Sequence, residues 1–173
     1  MDIKIRKVST DWQTLPTGLT WYFIGQPKTG KTTSASQWSD KGTEGVLLID
    51  TDLGSDFVNE ANTVTVTALN TPTRPKMLDN KQVTKDGKPE IEVIPNDDRG
   101  YYHRTGDEVG KPMEVYSMVE VYHWLKDNFK KLPYDTIAID TIDHINRWIE
   151  QEVCDERGQA AMGEGSSWGA DWA

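Results

Sequence analysis

The chain has 173 residues, 36% hydrophobic and 27% charged, enough for one α/β domain with its own core and tight for two. No apolar run approaches the ~18 residues of a membrane-spanning helix, and the N-terminus alternates charged with apolar residues, without the core of a signal peptide. A net charge of −9 argues against a strongly basic groove on a monomer, and the single cysteine, Cys154, excludes an intrachain disulfide and suits a reducing cytoplasm.

In chain order, residues 2–8 alternate in the manner of an edge strand. Thr20-Trp21-Tyr22-Phe23-Ile24, β-formers running into a glycine, predict a buried strand, and the glycine loop behind it opens a helix from Gly30 to about Ser39. Val46-Leu47-Leu48-Ile49-Asp50 predicts a second buried strand, parallel to and beside the first. Residues 64–69 predict a third, with Thr63, Thr65 and Thr67 alternating against Val64, Val66 and Ala68. Residues 71–112 hold five of the eight prolines and many charges, and Asp86-Gly87 marks a hairpin between residues 82–84 and 90–94. With a second extended pair flanking residues 105–107, this stretch reads as a β-rich surface insertion. Ser117 and Glu120 have capping-box spacing, and Met118, Val121, Tyr122 and Leu125 form a helical stripe behind them. Residues 134–140 predict a strand ending in a carboxylate, followed by a helix from about His144 to Glu156 and a loop rich in Gly, Ser and Ala over 158–173. The alternation predicts an α/β fold: a mostly parallel sheet with helices on both faces.

Gly25-Gln26-Pro27-Lys28-Thr29-Gly30-Lys31-Thr32 matches G-x-x-x-x-G-K-[ST] in full, between an expected strand and an expected helix. Such a loop wraps the phosphates of ATP or ADP in backbone N–H groups, with glycines admitting close approach and the helix N-terminus adding partial positive charge. Lys31 is expected at the β- and γ-phosphates, Thr32 on Mg²⁺ and Thr33 near the α-phosphate. Asp140, ending an apolar strand, has the pattern of a Walker B carboxylate that holds the magnesium through water; Thr141 follows it, so a glutamate base is not placed there. Asp50 and Asp52 end the strand of residues 46–50, at the edge where open α/β sheets bind ligands. Either could serve as the base, and a plain turn or cap role stays open for both.

Among the remaining candidates, His103, His123 and His144 lack metal-ligand spacing. Trp21, Trp124 and Trp148 fall in expected core elements, whereas Trp168 and Trp172 lie in the tail, where base stacking or an oligomer contact is open to them. Lys126, Lys130 and Lys131 suit a helix C-terminus.

At residues 25–33, 48–54 and 134–142 the chain resembles the RecA-like ATPases. Within them it is similar to phage-encoded nucleotide-binding, AAA-type proteins of single-strand annealing recombination, and Gly169-Ala170-Asp171-Trp172 resembles a stretch behind the Walker B helix of that group. The resemblance implies a single P-loop ATPase domain over residues 1–173 that carries the insertion at 71–112 and stops before the last strands of the core. It implies an acidic residue polarising the attacking water at Asp52, where the group usually has Glu, and an adenine contact at Asp56. It further implies single-stranded DNA and further copies of the chain as partners, in the cytoplasm of a bacterial host. In residues 154–167, the place of the first DNA-binding loop, Arg157 is the lone basic residue. The competing readings are a nucleotide-dependent switch and a non-hydrolysing nucleotide-binding scaffold. Partitioning ATPases lose ground, because Gln26 stands where they carry an extra lysine.

Overall fold

The computed structural model describes residues 20–55, 58, 60–159 and 161–162. Residues up to Lys31 and those from Thr32 onward form two compact units. The expected edge strand at residues 2–8, Asp56, Trp168 and the stretch 169–172 all lie outside the described residues.

Helix α1 covers Lys31–Ala35 and is shorter than its expected extent to Ser39. Serine chemistry ends it. The buried Ser36 donates its hydroxyl to the Thr33 carbonyl at 2.9 Å, and the N–H groups of Gln37 and Trp38 turn to carbonyls three residues back. Such i→i−3 bonds close a helix rather than extend it.

The sheet is built from β1 (Val46–Asp50) and β2 (Asn62–Ala68), with β9 (Tyr116–Ser117) and β10 (Thr136–Asp140) from later in the chain. Its order is β10-β1-β2-β9, and all three pairings are parallel, as the alternation predicts. Every residue of β1 is buried, which is what an unbroken apolar run in a central parallel strand requires. Residues 20–24 depart from expectation. They form no strand, and Trp21, Tyr22, Phe23 and Ile24 are exposed, Ile24 at 95%. A β-forming composition is only a preference that pairing with a neighbouring strand can realise, and residues 20–24 pair with no strand among the described residues.

Between β2 and β9 the chain makes six short strands: β3 (Thr73–Pro75), β4 (Met77–Leu78), β5 (Lys81–Gln82), β6 (Thr84–Lys85), β7 (Lys88–Pro89) and β8 (Ile91–Val93). β3 pairs antiparallel with β8 to form a stem, and β4–β5 and β6–β7 are two tight hairpins beyond it. Asp79-Asn80 and Asp86-Gly87 hold both turn residues at positive φ (50° and 61°, 53° and 76°), the mirror-image turns that suit strand twist. The Asp86-Gly87 turn stands where expected, but it joins residues 84–85 to 88–89, while 91–93 pair back to 73–75. A two-residue turn sets its register by the residues touching it. A second paired stretch does flank residues 105–107: Tyr102 bridges Pro112, and the His103 N–H donates to the Lys111 carbonyl.

Helix α2 (Met118–Asn128) opens with the expected capping box. Ser117 accepts from the Glu120 N–H at 3.1 Å, and the Glu120 carboxylate accepts from the Ser117 N–H at 2.6 Å. Helix α3 (Ile142–Arg157) starts two residues earlier than expected because Thr141 caps it, and Gly158 at φ 63° ends it. Ile49, Val66 and Val121 form the core, with Met118, Leu125 and Trp148 packed against them. Tyr122 and Trp124 of α2 are exposed, contrary to the expected stripe and core positions, since Val121 and Leu125 already supply the face turned to the sheet.

Candidate nucleotide site

The glycine loop is shaped by its own backbone. Lys28 (φ 65°) and Gly30 (φ 83°) sit in the left-handed region, and the Thr29 hydroxyl donates to the Gln26 carbonyl at 2.8 Å. The curl brings two carbonyls onto one ammonium: Lys31 Nζ donates to Gly25 O at 2.8 Å and to Gln26 O at 2.9 Å. Pro27, next along the curl, has no N–H to satisfy. Thr33, just inside α1, is exposed.

The second group of residues gathers at the C-terminal ends of β1 and β10, where Asp50 and Asp140 are partners in register. The Thr32 hydroxyl donates to Asp140 Oδ2. A hydroxyl and a carboxylate are hard oxygen donors, a set that fits Mg²⁺. The two residues read as metal ligands are thus in direct contact across 108 positions of sequence.

Asp50 and Asp52 separate sharply. Asp50 is 1% exposed, and its carboxylate is saturated: Oδ1 accepts from the N–H of Asp52 (3.1 Å) and Gly54 (3.3 Å), and Oδ2 from the N–H (2.9 Å) and hydroxyl of Ser55. It organises the turn. Asp52 is exposed and accepts from one group, the Gly54 N–H at 2.8 Å. Partial burial of its carboxyl pushes its pKa above the ordinary value, and the adjoining Asp50 carboxyl and the charge of Asp140 push the same way, against the Gly54 hydrogen bond. Their surroundings set the two carboxylates apart: one holds the backbone, the other is free to face a ligand.

A family model described as an AAA domain matches residues 17–173. The chain belongs to that family. No curated protein and no solved structure matches it. The AAA domain is a family of P-loop ATPases, in keeping with the parallel sheet and the glycine-loop motif.

Four residues that no sequence pattern assigns to the site shape this AAA domain: Thr51, Ser55, Thr141 and His144. Thr51 clamps the two strand ends: its N–H donates to the Asp140 carbonyl (2.7 Å), and its hydroxyl donates to the Thr141 carbonyl and accepts from the Thr141 N–H, each at 2.8 Å. His144 Nδ1 lies 2.6 Å from the Thr51 carbonyl; a carbonyl only accepts, so Nδ1 carries the hydrogen. Ser55 completes the group by filling Asp50 Oδ2. A signal for the clamp does lie in the chain, because the tripeptide Ile-Asp-Thr occurs twice, at 49–51 and 139–141, and the two copies end adjacent strands in register. No cluster of metal-binding side chains occurs among the described residues, and none of their helices is long and apolar enough to cross a membrane.

Proposed function

We propose that this AAA domain binds ATP with Mg²⁺ and hydrolyses it in single-strand annealing recombination of a phage, acting as an oligomer on single-stranded DNA. The observation that carries the ATPase part is the contact of Thr32 with Asp140, which joins the end of the glycine-loop motif to the Walker B carboxylate. In this reading residues 25–30, Pro27 apart, turn their N–H groups to the phosphates. Lys31 exchanges the carbonyls of Gly25 and Gln26 for phosphate oxygens, which carry full charge and bind an ammonium more strongly than a carbonyl does. Thr32 and Asp140 hold Mg²⁺, and Thr33 and Asp56 contact the nucleotide further out. The metal, when bound, neutralises charge developing on the β- and γ-phosphates.

Asp52 takes the place of the water-polarising base. One observation favours it over Asp50: its carboxylate is exposed with a single donor, whereas that of Asp50 is buried and saturated. The assignment to recombination rests on the likeness of residues 25–33, 48–54 and 134–142 to the RecA-like proteins of that pathway.

The experiment is ATP turnover by the purified chain, with and without single-stranded DNA, beside Lys31→Ala. Removing one preorganised cation from the phosphates is expected to lower turnover ~10²–10³-fold. Turnover that rises with single-stranded DNA supports the recombination role; turnover indifferent to DNA points to a nucleotide switch, and tight ATP binding without turnover to a scaffold. Turnover should also fall on acidification, beginning above the ordinary aspartate value of 3.8, because Asp52 must be deprotonated to act. Stability runs the other way. A raised pKa means that folding favours protonated Asp52, so its contribution is full below 3.8 and is lost as pH climbs through the raised value. A pH–rate profile whose acid limb is unchanged in Asp52→Asn would remove this residue from the mechanism.

A further inference from the structure

A cleft of about 380 Å³ opens at the C-terminal ends of β1 and β2, walled by Asp52, Thr67, Tyr101, His144, Arg147 and Trp148. Three separate parts of the chain build it. His144, Arg147 and Trp148 stand at i, i+3 and i+4 on α3 and so share one face. Trp148 is anchored in the core beside Ile49 and Val66, and its ring lies 6.2 Å from that of His144. Tyr101 comes from the stretch between β8 and β9 and is pinned by its backbone, its carbonyl accepting from the N–H of the buried Met113 at 2.9 Å.

Three polar groups of this cleft are unspent, while His144 Nδ1 and Asp52 are engaged with the Thr51 carbonyl and the Gly54 N–H. Arg147 makes no ion pair or hydrogen bond among the described residues, in a chain with 28 acidic against 19 basic side chains. Arg74 and Arg99, by contrast, are each tied to carboxylates, while Arg104 shares the unpaired state of Arg147 among the described residues. The Trp148 indole N–H and the Tyr101 hydroxyl are likewise without a partner among the described residues. A guanidinium, two aromatic side chains, a carboxylate and a threonine hydroxyl lining one cleft match one kind of ligand. That ligand has a planar face that stacks, edges that both donate and accept, and an anionic group for the cation.

We propose that the cleft is a second site, for a nucleoside phosphate, with the base against Trp148 and Tyr101 and the phosphate on Arg147. The ligand is either a free nucleotide or one unit of a single strand. Asp52 forms part of the wall, so occupancy reaches the carboxylate assigned to water activation; that coupling rests on the ATPase reading, whereas the binding does not.

The test uses the full chain carrying Lys31→Ala, so that the glycine loop does not contribute. It is titrated with thymidine 5′-monophosphate by calorimetry and with fluorescein-labelled oligothymidylate by anisotropy. Arg147→Gln and Tyr101→Leu are then added singly, with thermal melting to establish that each variant stays folded. Saturable binding of at least one probe, weakened about tenfold or more by each substitution, is expected. Binding of the mononucleotide identifies a free nucleotide as the ligand; binding of the oligonucleotide alone identifies the polymer. Absence of saturable binding by both probes, or binding that either substitution leaves unchanged in a folded variant, overturns the proposal. The assay reads no turnover, so a chain without ATPase activity can pass it and an active ATPase can fail it.

Discussion

Strand β1 and the double hairpin of residues 73–93 are both extended chain, yet they are held by different forces. β1 runs from a 3₁₀ turn at Gly42–Gly45 into the turn that Asp50 organises, but neither turn pairs it with another strand. Its residues are enclosed between β10, β2 and the core, and Val46, Leu47, Leu48 and Ile49 are all 2% exposed or less. Removal of apolar surface from water, through contacts distant in sequence, keeps it in place. The hairpins bury none of their side chains. They rely on left-handed turn residues, a junction in which the Lys76 and Val83 carbonyls accept from the N–H groups of Val83 and Glu90, and ion pairs such as Arg74–Glu92. Exposed ion pairs contribute about 0–1 kcal/mol each. The Asp50, Asp52 and Asp140 carboxylates hang on the first kind of structure, so substitutions there should be felt throughout the molecule, and substitutions in the hairpins should not.

The largest contrast is expected from truncating a leucine in each region. Leu48→Ala, at 0% exposure, should destabilise the chain by ~2–5 kcal/mol in urea titration. A loss under about 1 kcal/mol would mean that β1 is not the structural centre of the fold. Next in size is Asp50→Asn, whose amide keeps one acceptor oxygen and so leaves either Ser55 or the Asp52 and Gly54 N–H groups without theirs, at a cost of ~1–3 kcal/mol, whereas Asp52→Asn should leave stability nearly unchanged and strike turnover instead. Equal effects of the two on stability would erase the distinction between them. Ser117→Ala, where the hairpin region returns to the sheet, should cost ~1 kcal/mol through loss of the cap. Burial pushes the Glu120 carboxyl up, but the Ser117 N–H and hydroxyl and the Arg99 guanidinium outweigh it and hold the pKa below the ordinary 4.5. The cap therefore stabilises fully above pH 4.5 and loses its contribution as pH falls through the lowered value, a dependence that Ser117→Ala should blunt. The smallest effect belongs to Leu78→Ala on a hairpin, within about 0.5 kcal/mol; a larger loss would show that this exposed leucine is covered in solution.

Local chemistry is legible in the chain itself. The Ser117–Glu120 box, the position of the Asp86-Gly87 turn and the apolar run of β1 each depend on residues a few positions apart, and each stands where expected. Residues 20–24 mark the limit. Their composition is that of a strand, but whether a strand forms depends on a pairing partner elsewhere in the chain, which no local pattern reports. The same holds for Thr51, His144 and the contrast between Asp50 and Asp52. The sequence by itself determined the P-loop motif, the parallel α/β class and the turns, because backbone geometry and short-range hydrogen bonding act within one segment. Only the tertiary structure decided that Thr32 meets Asp140, that Asp50 is spent on its turn while Asp52 is not, and that Tyr101 and Arg147 wall one cleft. The Thr32–Asp140 contact depends on strand order and register, which bring together residues about a hundred positions apart, whereas the bonds of Asp50 are local and its burial sets it apart from Asp52.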